Sequence, residues 1–328
     1  MAHSYQLVWH DYFPDETKFE FFRNEEEIVR SSGQYFIYFS LFKNIENRVS
    51  VKISSQNTAT KVLIHTNIFD NCSSNENTVT SSCVFLTGSG HIIINKVFCK
   101  SCSANNANGS GQSITLDCSK TDLFLSSICF CKGTGDFSPV LKINSDSKIY
   151  SLNETNNQCK DESAFRILSN SIFKYSIAAS NSATRTRILY WGLGSQSYYQ
   201  NMIFNNSEKM QGIALNEANS DLTISKCSFV NNKGNSIFYA HSYFSTVTSM
   251  TIVDCSLIFN EVGQTFKSDT GMTLNIESIG DISFQVFVKV LSDFETLPPF
   301  SDYEITCNKI YRNQINFFLL FPIVLLYI

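Results

Sequence analysis

The sequence predicts an all-β solenoid, a right-handed parallel β-helix of about eight coils. Three observations predict it: a phrase that recurs at nearly constant spacing, short strand-like pieces between polar turns, and cysteines that repeat with the same period. The phrase is an aliphatic or β-branched residue, a few small polar residues, an apolar pair, then Asn, Cys or Ser. It runs at Ile64 to Cys72, Ile94 to Cys102, Leu125 to Cys131, Leu168 to Phe173, Tyr199 to Asn206, Ile224 to Asn232 and Ile252 to Leu257. With Ile68, Val97, Ile128, Ile172, Ile203, Ser228 and Ser256 as register marks, the steps are 29, 31, 44, 31, 25 and 28 residues. The long step brackets Ile149 to Leu152, a diverged copy on a shortened coil. The apolar marks are expected to stack at equivalent positions, one strand spacing apart.

Each copy carries a second strand-like piece: Cys83 to Leu86, Ser113 to Leu116, Gly212 to Leu215, Ser236 to Tyr239 and Met272 to Ile276. Short alternating pieces bounded by Gly, Asn, Ser and Asp fit one coil each. A leucine-rich repeat would need an L-x-x-L-x-L frame and usually a helical return, and a left-handed β-helix would need hexapeptide phasing. A β-sandwich would explain short strands but no repeated phrase. Helix is disfavoured between residues 60 and 290, where Gly, Asn and Ser interrupt any 3.6-residue period.

Residues 1–60, with Phe19 to Phe22 and Tyr35 to Phe39, are expected to form the N-terminal cap and first coil, since an open solenoid end would expose strand edges and core. Residues 61–296 form the β-helix, 297–316 a linker and 317–328 an apolar tail. The start, Met1 to Gln6, shows neither the basic nor the apolar region of a secretory signal. The tail, Phe317 to Ile328, would span about 18 Å as a helix against a hydrocarbon core of about 30 Å. A truncated transmembrane helix, a lipid-anchor signal with attachment near Asn308, and a soluble strand all remain open for it.

A chain with 43% hydrophobic and 16% charged residues has enough apolar surface to fold. A net charge of −4 with no basic cluster argues against nucleic acid as a partner. The run Glu25-Glu26-Glu27 reads as a solvated turn. The 11 cysteines include Cys72, Cys102 and Cys131, 30 and 29 apart, and Cys227 and Cys255, 28 apart. That is the coil period, so the thiols are expected to stack as an interior or turn ladder. Inter-coil disulfides and a zinc site through Cys99, Cys102, Cys129 and Cys131 are the alternatives.

No chemistry is carried by the usual motifs. There is no G-x-S-x-G elbow, and His3, His10, His65, His91 and His241 have no metal-ligand spacing. The Gly-x-Gly pieces at 88–90, 109–111, 133–135 and 192–194 lack a phosphate-loop continuation and read as turns. Asp117, Asp122, Asp221, Asp254 and Glu217 are scattered through the repeats rather than paired. Sequons at Asn71, Asn108, Asn153 and Asn205 fall mostly where turns are expected.

The phrase Ile224 to Asn232 resembles the coil consensus of right-handed, pectin-lyase-like β-helix proteins in the expanded surface-protein families of parasitic protozoa. Phe229 to Asn232 is similar to the F-x-x-N repeat of bacterial polymorphic outer-membrane proteins, though the G-G-A-I motif is missing. The likeness covers about residues 60–290. It implies the fold and display at a membrane, and within the fold it also admits polysaccharide lyases and hydrolases. The sequence reading is therefore a non-catalytic β-helix at a membrane or cell surface, acting in adhesion or interaction, with a carbohydrate-active enzyme as the alternative. It assigns no catalytic, cofactor-binding or metal residues and no cofactor. Its partners are a membrane reached through Phe317 to Ile328 and a protein or glycan of unknown identity.

Overall fold

The computed structural model describes residues 2–277 except 24–25, 76–80, 105–111, 134–138, 161, 185–186, 242–248 and 271. The expected linker 297–316, the tail 317–328 and the sequon at Asn108 lie outside the described residues. Every strand pairing is parallel and joins one turn to the next, as in a right-handed parallel β-helix. Three sheets wrap one core. The first follows Gln34–Tyr38 through the front of Lys61–Asp70 and Lys120–Cys129 to Ser249–Val253. The second follows Leu41–Lys43 through the back of the same long strands to Ile177–Ala179, Met202–Phe204 and Ser256–Ile258. The third runs from Val51–Ser55 through Ser81–Gly88 and Glu162–Ile167 to Glu261–Ser268. The number of turns is close to the eight expected.

Alternation within each strand decides what fills the interior. On the first sheet Ile37, Ile64, Ile94, Leu123, Ile149, Phe173, Tyr198, Ile224 and Ile252 share one inward column, each paired with the next and all buried. Each is one strand spacing from its neighbour, so the core is continuous along the axis.

The bends between sheets carry the repeat. Phe39, Thr66, Lys96, Leu125, Ser151, Tyr175, Gln200, Lys226 and Asp254 mark the corner between the first and second sheets, with φ between 46° and 56°. A second column, from Asn44 and Asn71 through Phe130 and Asn205 to Phe259, ends the second sheet with φ between 51° and 56°. Left-handed backbone at a non-glycine residue costs about 1 kcal/mol. An interior hydrogen-bond ladder offsets that cost at the second corner. Asn157, Asn181, Asn206, Asn232 and Asn260 each follow a bend residue and point inward. Their Oδ1 atoms accept the backbone N–H of Cys131, Asn157, Asn181, Asn206 and Asn232, at 2.9, 3.0, 2.9, 3.1 and 2.9 Å. Their Nδ2 atoms donate to carbonyls of the preceding turn at 2.8–3.1 Å. In the earliest turns Cys72, Cys102 and Cys131 occupy the same position. Cys227 and Cys255 stack at the other corner behind Asn201, whose N–H points at Cys227 Sγ, 3.4 Å away.

This registration corrects the one read from the phrase. Ile128 and Ile203 do share an inward column, through Glu154 and Ala178. Ile68, however, pairs with Phe98, and Val97 pairs with Asn67. Ile172 lies on the first sheet, pairs with Lys148 and Ser197, and faces outward, 36% exposed. The words around Ile172 look like the phrase, but the true equivalent is Ser176 to Asn181, because the bend and its Asn set the register. Ile149 to Leu152 belongs to a full rung, Asp146–Thr155, paired along its length with Lys120–Cys129. Asn153 also departs from expectation: it is fully buried in that strand, closed to glycosylation, whereas Asn71 and Asn205 lie on bends.

The N-terminal cap contains a helix, Ala2–Tyr12. It lies along the flank of the first sheet, with Trp9 and Phe13 packed on the outward residues Phe36, Leu63 and Ile93. Beneath it His65 is held down to about 4 by burial and by the Lys96 charge. With the folded value below the ordinary 6.5, the stabilising contribution is complete above that pH and is lost as pH falls towards 4. Acidification across that window should therefore loosen the helix by up to about 3 kcal/mol. In a Trp191→Phe background the Trp9 emission should move to the red, and His65→Leu should remove most of the transition; an unchanged transition would assign it elsewhere.

Candidate functional site

The outer faces carry two sets of side chains that could meet a ligand. On the third sheet Leu189 and Trp191, Ala214 and Asn216, and Phe238 and Ala240 face inward, so the residues between them must face out. The resulting outward column is Arg166, Tyr190, Leu215, Tyr239 and Lys267, each paired with the next. Tyr190 lies under two guanidinium groups, Arg187 at 4.2 Å and Arg166 at 5.0 Å from its ring centroid, and Lys267 stands 4.1 Å from the Tyr239 centroid.

Two residues further along, at the next outward position, Gly192, Glu217 and His241 align. A Cβ on Gly192 would lie 2.8 Å from the Tyr190 hydroxyl, so the glycine leaves the space that the hydroxyl uses beside Glu217. His241 Nδ1 is 2.5 Å from Asp269 Oδ2, and Tyr239 donates to Asp269 Oδ1 at 2.9 Å. With Nδ1–H donating to Asp269, His241 Nε2 faces Glu217 Oε1 at 3.9 Å. Three ionisable groups converge here, with two tyrosines and an arginine around them.

Access and protonation limit what this cluster can do. Tyr190, Tyr239 and Glu217 are buried, and only the edges of His241 and Asp269 reach the surface, with side chains 18% and 30% exposed. Burial, with the nearby carboxylates adding to it, pushes both tyrosine hydroxyls far above their usual range. They remain protonated donors and cannot serve as bases at neutral pH.

The second set lies on the first sheet. Phe124, Tyr150, Lys174 and Tyr199 form an outward column of successive rungs, all half-buried. Phe124 and Tyr150 stack with centroids 5.7 Å apart and planes 16° apart. Lys174 and Lys226 reach to 5.3 and 5.9 Å of the Tyr199 centroid from either side.

No family model and no curated relative match the chain. Among solved structures it is similar to a double mutant of the periplasmic alginate epimerase AlgG, with 10% sequence identity, a TM-score of 0.31, and coverage of 82% of this chain and 76% of that one. A likeness at that level carries no argument about fold or activity; the architecture above rests on the strand pairing itself.

Of the carboxylates singled out in the sequence, Glu217 enters the cluster and the others stand apart. Asp122 is buried on the first sheet, 2.7 Å from His91 Nε2. Asp254 is a bend residue and Asp117 ends a strand. Asp221 accepts a hydrogen bond from Ser249. Of the acidic run, Glu26 and Glu27 pair with Arg48. Tyr190, Tyr239 and Asp269 were missed. Their signal was present in the spacing, since Glu217, His241 and Asp269 are separated by about one coil each. Among the described residues nine cysteines are buried outside any disulfide. Cys72, Cys102 and Cys131 form the turn ladder, with Cys83 and Cys99 beside them, and burial pushes the Cys99 and Cys102 thiols well up.

Proposed function

We propose that this protein is a non-catalytic β-helix that binds an extended, negatively charged ligand along its side and is presented at a membrane through its apolar end. The observation that carries the reading is the outward column of Phe124, Tyr150, Lys174 and Tyr199, with Lys226 beside it. Aromatic faces and ammonium groups repeat at one strand spacing, a regular track for a polymer with apolar ring faces and anionic substituents. Anionic polysaccharide fits such a track without base-specific contacts, and the absence of a dense basic patch disfavours nucleic acid. Among the described residues no helix is long and apolar enough to cross a membrane, so presentation rests on Phe317 to Ile328 alone.

The second reading, a carbohydrate-active enzyme, is favoured by one arrangement: Asp269 orients His241 so that Nε2 is left to exchange a proton. Affinity electrophoresis of the full-length protein in gels containing polygalacturonate, dextran or single-stranded DNA separates these ideas. Retardation by polygalacturonate alone is expected, weakened roughly ten-fold by Tyr150→Ala with Tyr199→Ala, with no new ultraviolet-absorbing or reducing product. Product formation that disappears in His241→Ala would replace the binding reading with the catalytic one. Equal migration in all three gels would remove the track as a ligand site.

A further inference from the structure

The outward column that carries the proposed ligand track does not begin at Phe124. Through the strand pairing it continues back by three rungs, Asn95, His65 and Tyr38. The open part, Phe124 to Tyr199, is four rungs, roughly 14 Å from end to end at one strand spacing each, and the whole column is seven rungs, roughly 29 Å. A tyrosine of the N-terminal helix, Ala2–Tyr12, touches each of the three upstream rungs. Tyr5 meets Tyr38 edge-on with ring centroids 5.3 Å apart, Tyr12 meets His65 edge-on at 6.0 Å, and Asn95 Nδ2 donates to the Tyr12 hydroxyl. The spacing explains the fit. Tyr5 and Tyr12 are seven residues apart, so they share a helix face and stand about 10.5 Å apart along its axis, against about 9.6 Å for the two steps from Tyr38 to Asn95. The helix therefore runs along the column with its tyrosines in step with the rungs.

We infer that Tyr38, His65 and Asn95 are a second, closed half of the ligand track, and that the N-terminal helix is its removable occupant. A long anionic polysaccharide displaces the helix and takes its place, whereas a short one binds the open rungs and leaves it docked. The inference rests on the reading of the column as a ligand track. Asn95 Oδ1 is buried and has no hydrogen-bond partner among the described residues, so a hydroxyl of the incoming polymer finds an acceptor that the helix leaves unused. An 11-residue helix is marginal by itself, and this one is held by Trp9 and Phe13 on the neighbouring outward residues Phe36, Leu63 and Ile93. The tyrosine contacts add to that hold along the column itself, where a ligand competes with them directly. Affinity for a long chain is then reduced by the fraction of molecules in which the helix is docked, and affinity for a short one is not.

The test titrates the full-length protein with two probes, polygalacturonate and an oligogalacturonate short enough to fit the open rungs. A Trp191→Phe background leaves Trp9 as the single tryptophan. Polygalacturonate should move the Trp9 emission to the red, because Trp9 is fully buried while the helix is docked. The short probe should bind, as followed by equilibrium dialysis, without moving it. Tyr5→Ala with Tyr12→Ala loosens the helix and leaves the track residues in place, so polygalacturonate should bind roughly ten-fold more tightly and the short probe equally well. Equal binding of the short probe also shows that the variant is folded. Adding Asn95→Ala should remove most of the gain for polygalacturonate alone. Polygalacturonate binding that leaves the Trp9 emission unmoved, with equal affinity for the parent and the double variant, would keep the track and overturn the inference. Binding of neither probe would remove the track, and its closed half with it.

Discussion

Replacing Asn206 by Ala is expected to destabilise the protein by about 4 kcal/mol, more than any single apolar truncation on the outer faces. Asn206 Oδ1 accepts the Asn181 N–H at 2.9 Å, and its Nδ2 donates to the Ala178 carbonyl at 2.9 Å. The residue is fully buried, so the alanine variant leaves a donor and an acceptor unpaired inside the solenoid, each at a cost of roughly 1–3 kcal/mol. Asn206→Cys should be milder, because cysteine occupies the same position in earlier turns and a thiol is a weak acceptor. Denaturant unfolding of the two variants provides the comparison. Equal stability for wild type and Asn206→Ala would mean that the ladder fixes register without contributing to stability.

Glu154→Leu is expected to act in the opposite sense. Glu154 faces inward between Ile128 and Ala178, fully buried, with Oε1 lacking any partner. Burial pushes its carboxyl up to about 8. Since the folded value lies above the ordinary one, the stability associated with the protonated acid is complete below about 4.5 and is lost as pH rises through about 8. The leucine variant should match wild type at about pH 4 and exceed it by about 4 kcal/mol at about pH 9. Unfolding curves measured across that range decide the matter: parallel pH profiles for the two proteins would show that the carboxylate finds a solvated position when it ionises.

The fold was legible because each coil repeats small polar residues and an apolar pair before a bend, and because Cys72, Cys102 and Cys131 keep the period openly. Register was less legible. Local wording at Leu168 to Phe173 imitates the phrase, whereas the bend at Ser180 and Asn181 shows no lexical likeness to Asn71 and Cys72. What unites those positions is a left-handed backbone followed by an inward donor or acceptor, and Cys, Asn and Ser can each follow such a bend. The ionisable cluster was hidden for a related reason. Glu217, His241 and Asp269 meet only through stacking of different turns, so a search for close sequence spacing passes over them. Asn153 shows the converse, a sequon placed by local composition in a strand that burial closes.

The asparagine ladder also gives the molecule a direction in time. From Cys131 onward the bend of one turn is completed by the side chain of the next: Asn157 closes the bend at Cys131, Asn181 the one at Asn157, and so on to Asn260. Over this stretch a nascent chain leaving the ribosome therefore carries one unsealed bend, the latest, and seals it when about 26 further residues have emerged. Growth proceeds as a zipper that cannot skip a tooth. A stalled or prematurely ended chain would have a finished N-terminal body with a single raw terminus, rather than a globally unfolded one, and quality control would have only that terminus to recognise.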